Sequence, residues 1–285
     1  MATNEKNKVE GGVLYLVGTP IGNLADMTDR AKKVLSEVDF IAAEDTRNSM
    51  KLLSCFGIHA ELVSYYEHNK RESGERIIAK LLGGESCALI TDAGMPAISD
   101  PGEDLVRLCA DAGVTVRVVP GPSACVSALA LSGLSTVRFT FEGFLPAQKN
   151  ERRKRLDDLK NEERTMIFYE APHKLRTTLD DMLEVFGLDR KISLCRELTK
   201  LNEESHRTTL EGAVSHYKEK EPRGEYVLVI EGGHKAIDTD NPLLSLSPEE
   251  HVSHYEKMGM KRMDAIKAAA KDRGTSKSEF YKLLI

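Results

Sequence analysis

The stretch Val13-Leu14-Tyr15-Leu16-Val17-Gly18-Thr19-Pro20-Ile21-Gly22-Asn23-Leu24 decides the fold. Its apolar run reads as a strand, its Gly and Pro residues as a turn. Thr28 to Val38 then shows helical periodicity, with Thr28 placed as the N-cap. The same unit recurs downstream. Phe40 to Ala43, Leu62 to Tyr65, Ala88 to Thr91 and Val114 to Val119 read as strands, and Arg47 to Phe56, Ser73 to Leu82 and Gly102 to Ala112 as helices. Strands alternating with helices predict a parallel, helix-covered sheet over residues 12–122.

After Pro120-Gly121-Pro122-Ser123-Ala124 the texture changes. A small-residue helix over Cys125 to Leu131 leads into strands at Arg138 to Glu142, Thr165 to Tyr169, Lys191 to Cys195, His206 to Leu210 and Tyr226 to Glu231. Helices at Glu151 to Asn161, His173 to Phe186 and Leu210 to Lys218 separate them, which predicts a second α/β domain over 123–234 with a more mixed sheet. A polar link, Gly232 to Pro242, precedes a small helical unit over 243–285 that starts at Ser247-Pro248-Glu249-Glu250. About forty residues are too few for an independent core, so this unit is expected to pack on the body or on a partner.

With 285 residues, 41% apolar and 30% charged, collagen, coiled-coil and disulfide scaffolds are excluded. The net charge of −5 argues against a surface devoted wholly to nucleic acid, but leaves room for a local basic face. The five cysteines lie far apart without a CxxC pair and read as reduced, buried residues. The opening MATNEKNKVEGG carries no basic and apolar leader, which points to the cytoplasm, and no window approaches the length of a membrane span. His251 and His254 stand at i, i+3 in a polar segment; without a third ligand nearby they read as a solvated helix face, and no metal is expected.

Four strand ends carry the chemistry: Gly18 to Leu24; Glu44-Asp45-Thr46-Arg47; Thr91-Asp92-Ala93-Gly94-Met95-Pro96; and Pro120 to Ser123. In an open α/β sheet such residues converge on the crevice beyond the carboxyl ends of the strands. No GK[ST] follows a glycine loop, and GTPIGN departs from GxGxxG, so nucleotide triphosphates and NAD are disfavoured. Loops rich in Pro suit a polar ligand of low charge. Glu44, Asp45 and Arg47 are either an ion-pair cluster at a helix start or groups that move a proton and orient substrate, and Glu170 and His173 in Tyr169 to Lys174 leave the same choice open.

Two basic tracts stand out. Lys149 to Arg155 carries net +4 through Lys149, Arg152, Arg153, Lys154 and Arg155 against Glu151. Lys257 to Ile285 carries net +5, with Lys271, Arg273, Lys277 and Lys282 among its cations. Either is a solvated helix face or a surface for a phosphate backbone. Phe280 and Tyr281 are core anchors or stacking groups.

Together GTPIGNL (18–24), EDTR (44–47), TDAGMPAISDPG (91–102), PGPSA (120–124), EGFLP (142–146), YEAPHK (169–174) and RELTK (196–200) resemble the tetrapyrrole methylase superfamily, and within it the ribosomal RNA small subunit methyltransferase I branch. The tail resembles that branch's small helix-turn-helix-like domain. The resemblance implies two α/β domains with S-adenosylmethionine in the cleft between them, a homodimer, and methylation of a cytidine ribose 2′-oxygen in the decoding region of small-subunit rRNA, free or in the 30S particle. It places Pro20, Asp92, Ala93, Gly94, Met95, Ser99, Asp100, Gly121, Pro122, Phe144 and Leu145 around the cofactor. Met95 stands where the branch usually has Thr, and Lys174 where it often has Arg.

A ribose hydroxyl needs a base or a nearby cation. Glu44, Asp45, Glu170 and Lys200 are the candidates for proton handling, and Arg47 and Arg196 for holding phosphate. Arg152, Arg153, Lys154, Arg155, Lys271, Arg273, Lys277 and Lys282 are the expected RNA-binding residues. Two alternatives stay open: a carbon methyltransferase acting on a tetrapyrrole, and a non-catalytic RNA-binding module.

Overall fold

A computed structural model describes residues 8–233, 241–275 and 277–284. The first half is β1 (Val13–Val17), α1 (Asp29–Glu37), β2 (Phe40–Ala43), α2 (Thr46–Cys55), β3 (Glu61–Ser64), α3 (Lys70–Leu82), β4 (Cys87–Ile90), α4 (Gly102–Asp111) and β5 (Thr115–Val119). Thr28 caps α1 by accepting from Ala31 N, and Asp45 caps α2 through Arg47 N. The five strands form one parallel sheet in the order β3-β2-β4-β1-β5. Alternate residues feed two cores: Val13, Tyr15, Ile41 and Ala88 face one helical layer, and Leu14, Phe40, Ala42 and Leu89 the other. Because both faces are covered, every residue of β2 and β4 is buried and these strands read as continuous apolar runs. The order places β4 between β2 and β1, so the loops that leave β1, β4 and β5 lie side by side at one edge.

The second half is α5 (Ala124–Ser132), β6 (Phe139–Phe144), α6 (Lys149–Asp158), β7 (Thr165–Glu170), α7 (Pro172–Phe186), β8 (Lys191–Arg196), β9 (Glu204–Thr209), α8 (Leu210–Glu219) and β10 (Tyr226–Ile230). Its sheet runs β6-β7-β10-β8-β9, with only β6 and β7 parallel. One face packs Met166, Phe168, Leu194 and Leu228 under α6, α7 and α8. The other packs Ile167, Cys195, Val227 and Val229 against α5, and Ile21 from the first loop joins this cluster. That packing anchors the first half's loop in the second half's core.

The C-terminal unit is α9 (Pro248–Lys257), α10 (Arg262–Asp272) and α11 (Lys277–Lys282). Ser247 and Glu250 close a capping box on α9. Contrary to the expectation from its length, the unit has a small core of its own, Val252, Ala265, Ile266, Ala269, Ala270 and Phe280. Phe280 is thus an anchor, while Tyr281 stays exposed. His251 is not on a solvated face. It is fully buried, stacked on Tyr255, with Nε2 against Asp272 at 3.1 Å and Nδ1 accepting from Arg273 Nε at 3.0 Å. Among the described residues no helix is long and apolar enough to cross a membrane.

Candidate active site

The cleft is built where loops from both halves lock together. Thr19 and Gly94 exchange backbone hydrogen bonds of 2.9 and 3.2 Å, and Thr19 Oγ1 donates to the Thr91 carbonyl at 3.2 Å. Gly18 lies against Gly121 so closely that a Cβ at Gly18 would sit 2.7 Å from the Gly121 Cα and 2.8 Å from Met95 Sδ. The third loop is held by Asp100, whose Oδ1 accepts from Ala97 N at 3.0 Å and Gly102 N at 2.7 Å while Ala97 and Ser99 both adopt φ of 66°. The other Asp100 oxygen is buried with no partner among the described residues.

These loops and the second sheet enclose a 540 Å³ cavity. Asp92, Ala93, Gly94, Met95, Ser99 and Asp100 line one side, and Phe144, Tyr169 and Glu170 the other. Five acidic residues line it, Glu44, Asp92, Asp100, Glu170 and Glu225, and among the described residues no Lys or Arg does. This lining suits a polar ligand that carries cationic groups. Burial pushes the Glu44 carboxyl above the ordinary glutamate range; a hydrogen bond from Thr91 opposes this, and Asp92, Asp100 and Asp45 add to it. Glu170 is 5% exposed, accepting from Thr178 Oγ1 at 2.5 Å and from Ala171 N at 2.8 Å. Its carboxylate fixes the start of α7 at the cavity wall. Tyr169 meets Phe141 and Phe144 edge-on, with ring centroids 4.9 and 5.5 Å away.

A second cavity of 310 Å³ adjoins the first and contains Pro20, Asn48, Leu52 and Lys200. Lys200 crosses from the second half, and its chain covers Gly22 so tightly that a Cβ there would collide with it. Its Nζ donates to Glu197 at 2.9 Å and Glu225 at 2.8 Å. Burial works against the charge, but these two carboxylates prevail and hold the ammonium above the ordinary lysine range. Lys200 is a fixed cation at neutral pH and not a base.

Other expected site residues stand elsewhere. Asp45 and Arg47 pair with each other at 3.1 Å on the rim, Arg47 with 87% of its side chain exposed, and neither lines these two cavities. Gly121 and Pro122 shape the loop behind Gly18 and Gly94 without lining the chamber, and Leu145 is buried in the second sheet's core. Met95 does line the cavity, and its thioether packs on Gly18, so the missing hydroxyl is replaced by a packing interaction. Arg196 is tied to Glu204 at 3.2 Å. Glu225, Tyr226 and Asn48 join the site without a signal in the local sequence. Site residues are expected after strands, whereas β10 runs antiparallel to its neighbours, so its beginning faces the cleft.

The basic tract of α6 is largely spent within the fold. Arg152, 6% exposed, pairs with Asp181 at 2.7 Å and donates to the carbonyls of Pro146 and Ala147. Arg153 pairs with Asp181 and Glu184, and Arg155 with Glu142. Lys154 remains exposed. In the tail, Arg273 holds His251 and the Leu246 carbonyl and lies over Phe280. Lys277 and Lys282 are exposed, and the Lys271 side chain lies outside the described residues.

The family model of tetrapyrrole (corrin/porphyrin) methylases matches residues 13–214. The chain belongs to that family. Within it the chain is similar to the ribosomal RNA small subunit methyltransferase I of Halalkalibacterium halodurans, 50% identical over 273 residues that cover 95% of this chain and 94% of that protein. The protein of the same name from Thermotoga maritima is 48% identical over 221 residues, covering 78% of this chain and 99% of the relative. The tetrapyrrole methylase architecture is matched by the X-ray structure of a cobalamin biosynthetic enzyme, cobalt precorrin-4 methyltransferase. Its TM-score is 0.57 at 17% identity, over 81% of this chain and 98% of that one.

Proposed function

We propose that this tetrapyrrole methylase family member transfers the methyl group of S-adenosylmethionine to the ribose 2′-oxygen of a cytidine in the decoding region of small-subunit rRNA. The observation that carries the reading is the charge of the 540 Å³ cavity: five carboxylates and, among the described residues, no Lys or Arg. A donor with a sulfonium and an ammonium group fits such a chamber, and the buried Asp100 oxygen that has no partner among the described residues is an acceptor still to be satisfied. When bound, it supplies a methyl carbon already activated for in-line attack.

The chain's own residues do the rest. The loops around Gly94 and Gly121 hold the donor side, and Phe144 and Tyr169, backed by Phe141, form an apolar wall opposite. Lys200 and Arg47 offer fixed positive charge to the acceptor's phosphates at the rim. A polycarboxylate tetrapyrrole would add negative charge to a chamber that has none to offset it, which favours the RNA reading over carbon methylation. The names of the relatives support the same choice.

RNA delivery falls to Lys154, Lys277 and Lys282 with the neighbouring Lys267, all exposed. The reading includes the homodimer that the family resemblance implies. The cytoplasm is the compartment that holds this substrate. Mass-mapping of ribose methylation in small-subunit rRNA from cells with and without the protein tests the reading. One cytidine 2′-O-methyl group is expected to vanish with the protein, and an unchanged map refutes it.

A further inference from the structure

The two cavities share a wall. Ile21, Thr91, Asp92, Ala93 and Glu225 line both. Asp92 and Glu225 therefore belong to both chambers, and the smaller one adds to them an apolar side, Pro20, Leu24 and Leu52, the amide of Asn48 and the ammonium of Lys200. An apolar flank, one amide and one cation are the complement of a single nucleotide: base face, base or ribose edge, and phosphate. Of the two ionisable groups on the shared wall, Glu225 is engaged with Lys200 at 2.8 Å. Asp92 is exposed to the cleft, and its one side-chain partner among the described residues is Asn48, whose Nδ2 donates to Asp92 Oδ2 at 3.2 Å.

Resting on the functional reading above, we infer that the smaller chamber is the acceptor-nucleotide pocket and that Asp92, held by Asn48 on the wall between the chambers, is the catalytic residue that takes the hydroxyl proton. The ribose O–H bond breaks toward the Asp92 carboxylate as the oxygen bonds to the donor's methyl carbon. The electron pair of the carbon–sulfur bond stays on sulfur, leaving a neutral thioether, a methyl ether and a protonated Asp92. Glu44 and Glu170 line only the larger chamber and Lys200 only the smaller, so none of these stands on the wall that the two share. Asn48 is a positioning residue that acts through Asp92.

The test compares wild type with Asp92→Asn, Asn48→Ala and Leu52→Trp, using purified small subunits lacking the modification as acceptor and S-adenosylhomocysteine as the calorimetric probe of the donor chamber. Asp92→Asn is expected to lower single-turnover methyl transfer by about 10²–10⁴-fold, far more than it weakens probe binding. Asn48→Ala should lower kcat more than it raises KM, and Asn48→Asp should not restore it. Leu52→Trp, which fills the smaller chamber, should raise the acceptor KM by roughly tenfold or more with probe affinity kept. Asp92 and Asn48 are surface positions, so their variants should retain the wild-type melting curve. Asp92→Asn with near wild-type transfer, or with probe binding lost in step with activity, overturns the inference, as does an unchanged acceptor KM in Leu52→Trp. Wild type that methylates no rRNA overturns the functional reading itself, and the inference with it.

Discussion

Gly18 and Gly121 set how closely the loops after β1 and β5 approach. The two backbones touch, and a Cβ at either position meets backbone atoms within 3.0 Å, which only a shift of the chain could relieve. Gly18→Ala is therefore expected to destabilise the fold by about 1–3 kcal/mol and to weaken donor binding, as checked by thermal melts and calorimetry. Glu44 governs pH dependence at the same scale. Its carboxyl is held above the ordinary range by burial and by neighbouring carboxylates in the free protein. A bound cation favours the charged form, so binding the donor releases a proton at pH values where the Glu44 carboxyl of the free protein is still protonated. Donor affinity should rise with pH through the range just above the usual glutamate value, and fall as pH drops below it. Calorimetry in two buffers of different ionisation enthalpy reads the proton release, and its absence in Glu44→Gln assigns it.

Helix α6 shows how an element can misstate its role in one dimension. Its run of Arg and Lys reads as a phosphate-binding face, but Asp181 and Glu184 lie on α7 and Glu142 on β6, and folding brings all three against it. No local pattern reveals partners that lie on other elements of the chain. Asp181→Ala should cost about 3–5 kcal/mol in chemical denaturation, because it strands the buried Arg152 guanidinium. Lys154→Ala should leave stability unchanged and weaken rRNA binding. Strand β10 makes the complementary point. Its apolar run Tyr226 to Ile230 is legible as a strand, but its direction is not, so Glu225 at its entrance cannot be placed in the cleft from sequence alone.

At the scale of the whole molecule, the proposed function requires an acidic protein to approach an anionic RNA. The C-terminal unit has its own apolar cluster and exposed Lys267, Lys277 and Lys282. Removing residues 241–285 should leave donor binding intact, weaken binding to the small subunit, and flatten the dependence of log affinity on log salt by about 0.7–0.9 for each phosphate that the tail had neutralised. Filter binding across a salt series measures this; an unchanged slope would place the RNA-binding surface elsewhere.

The elements themselves were legible in the sequence because a strand buried on both faces has to be a short apolar run, and because Gly, Pro and capping residues act within a few positions. The family motifs were legible because each occupies one loop. Strand order, the acidic chamber, the second chamber beside it and the neutralising of the α6 arginines were decided only by the tertiary structure. Each depends on which distant segments meet, and that is settled by burial across the whole sheet, where Ile21 enters the far core and β4 inserts between β2 and β1.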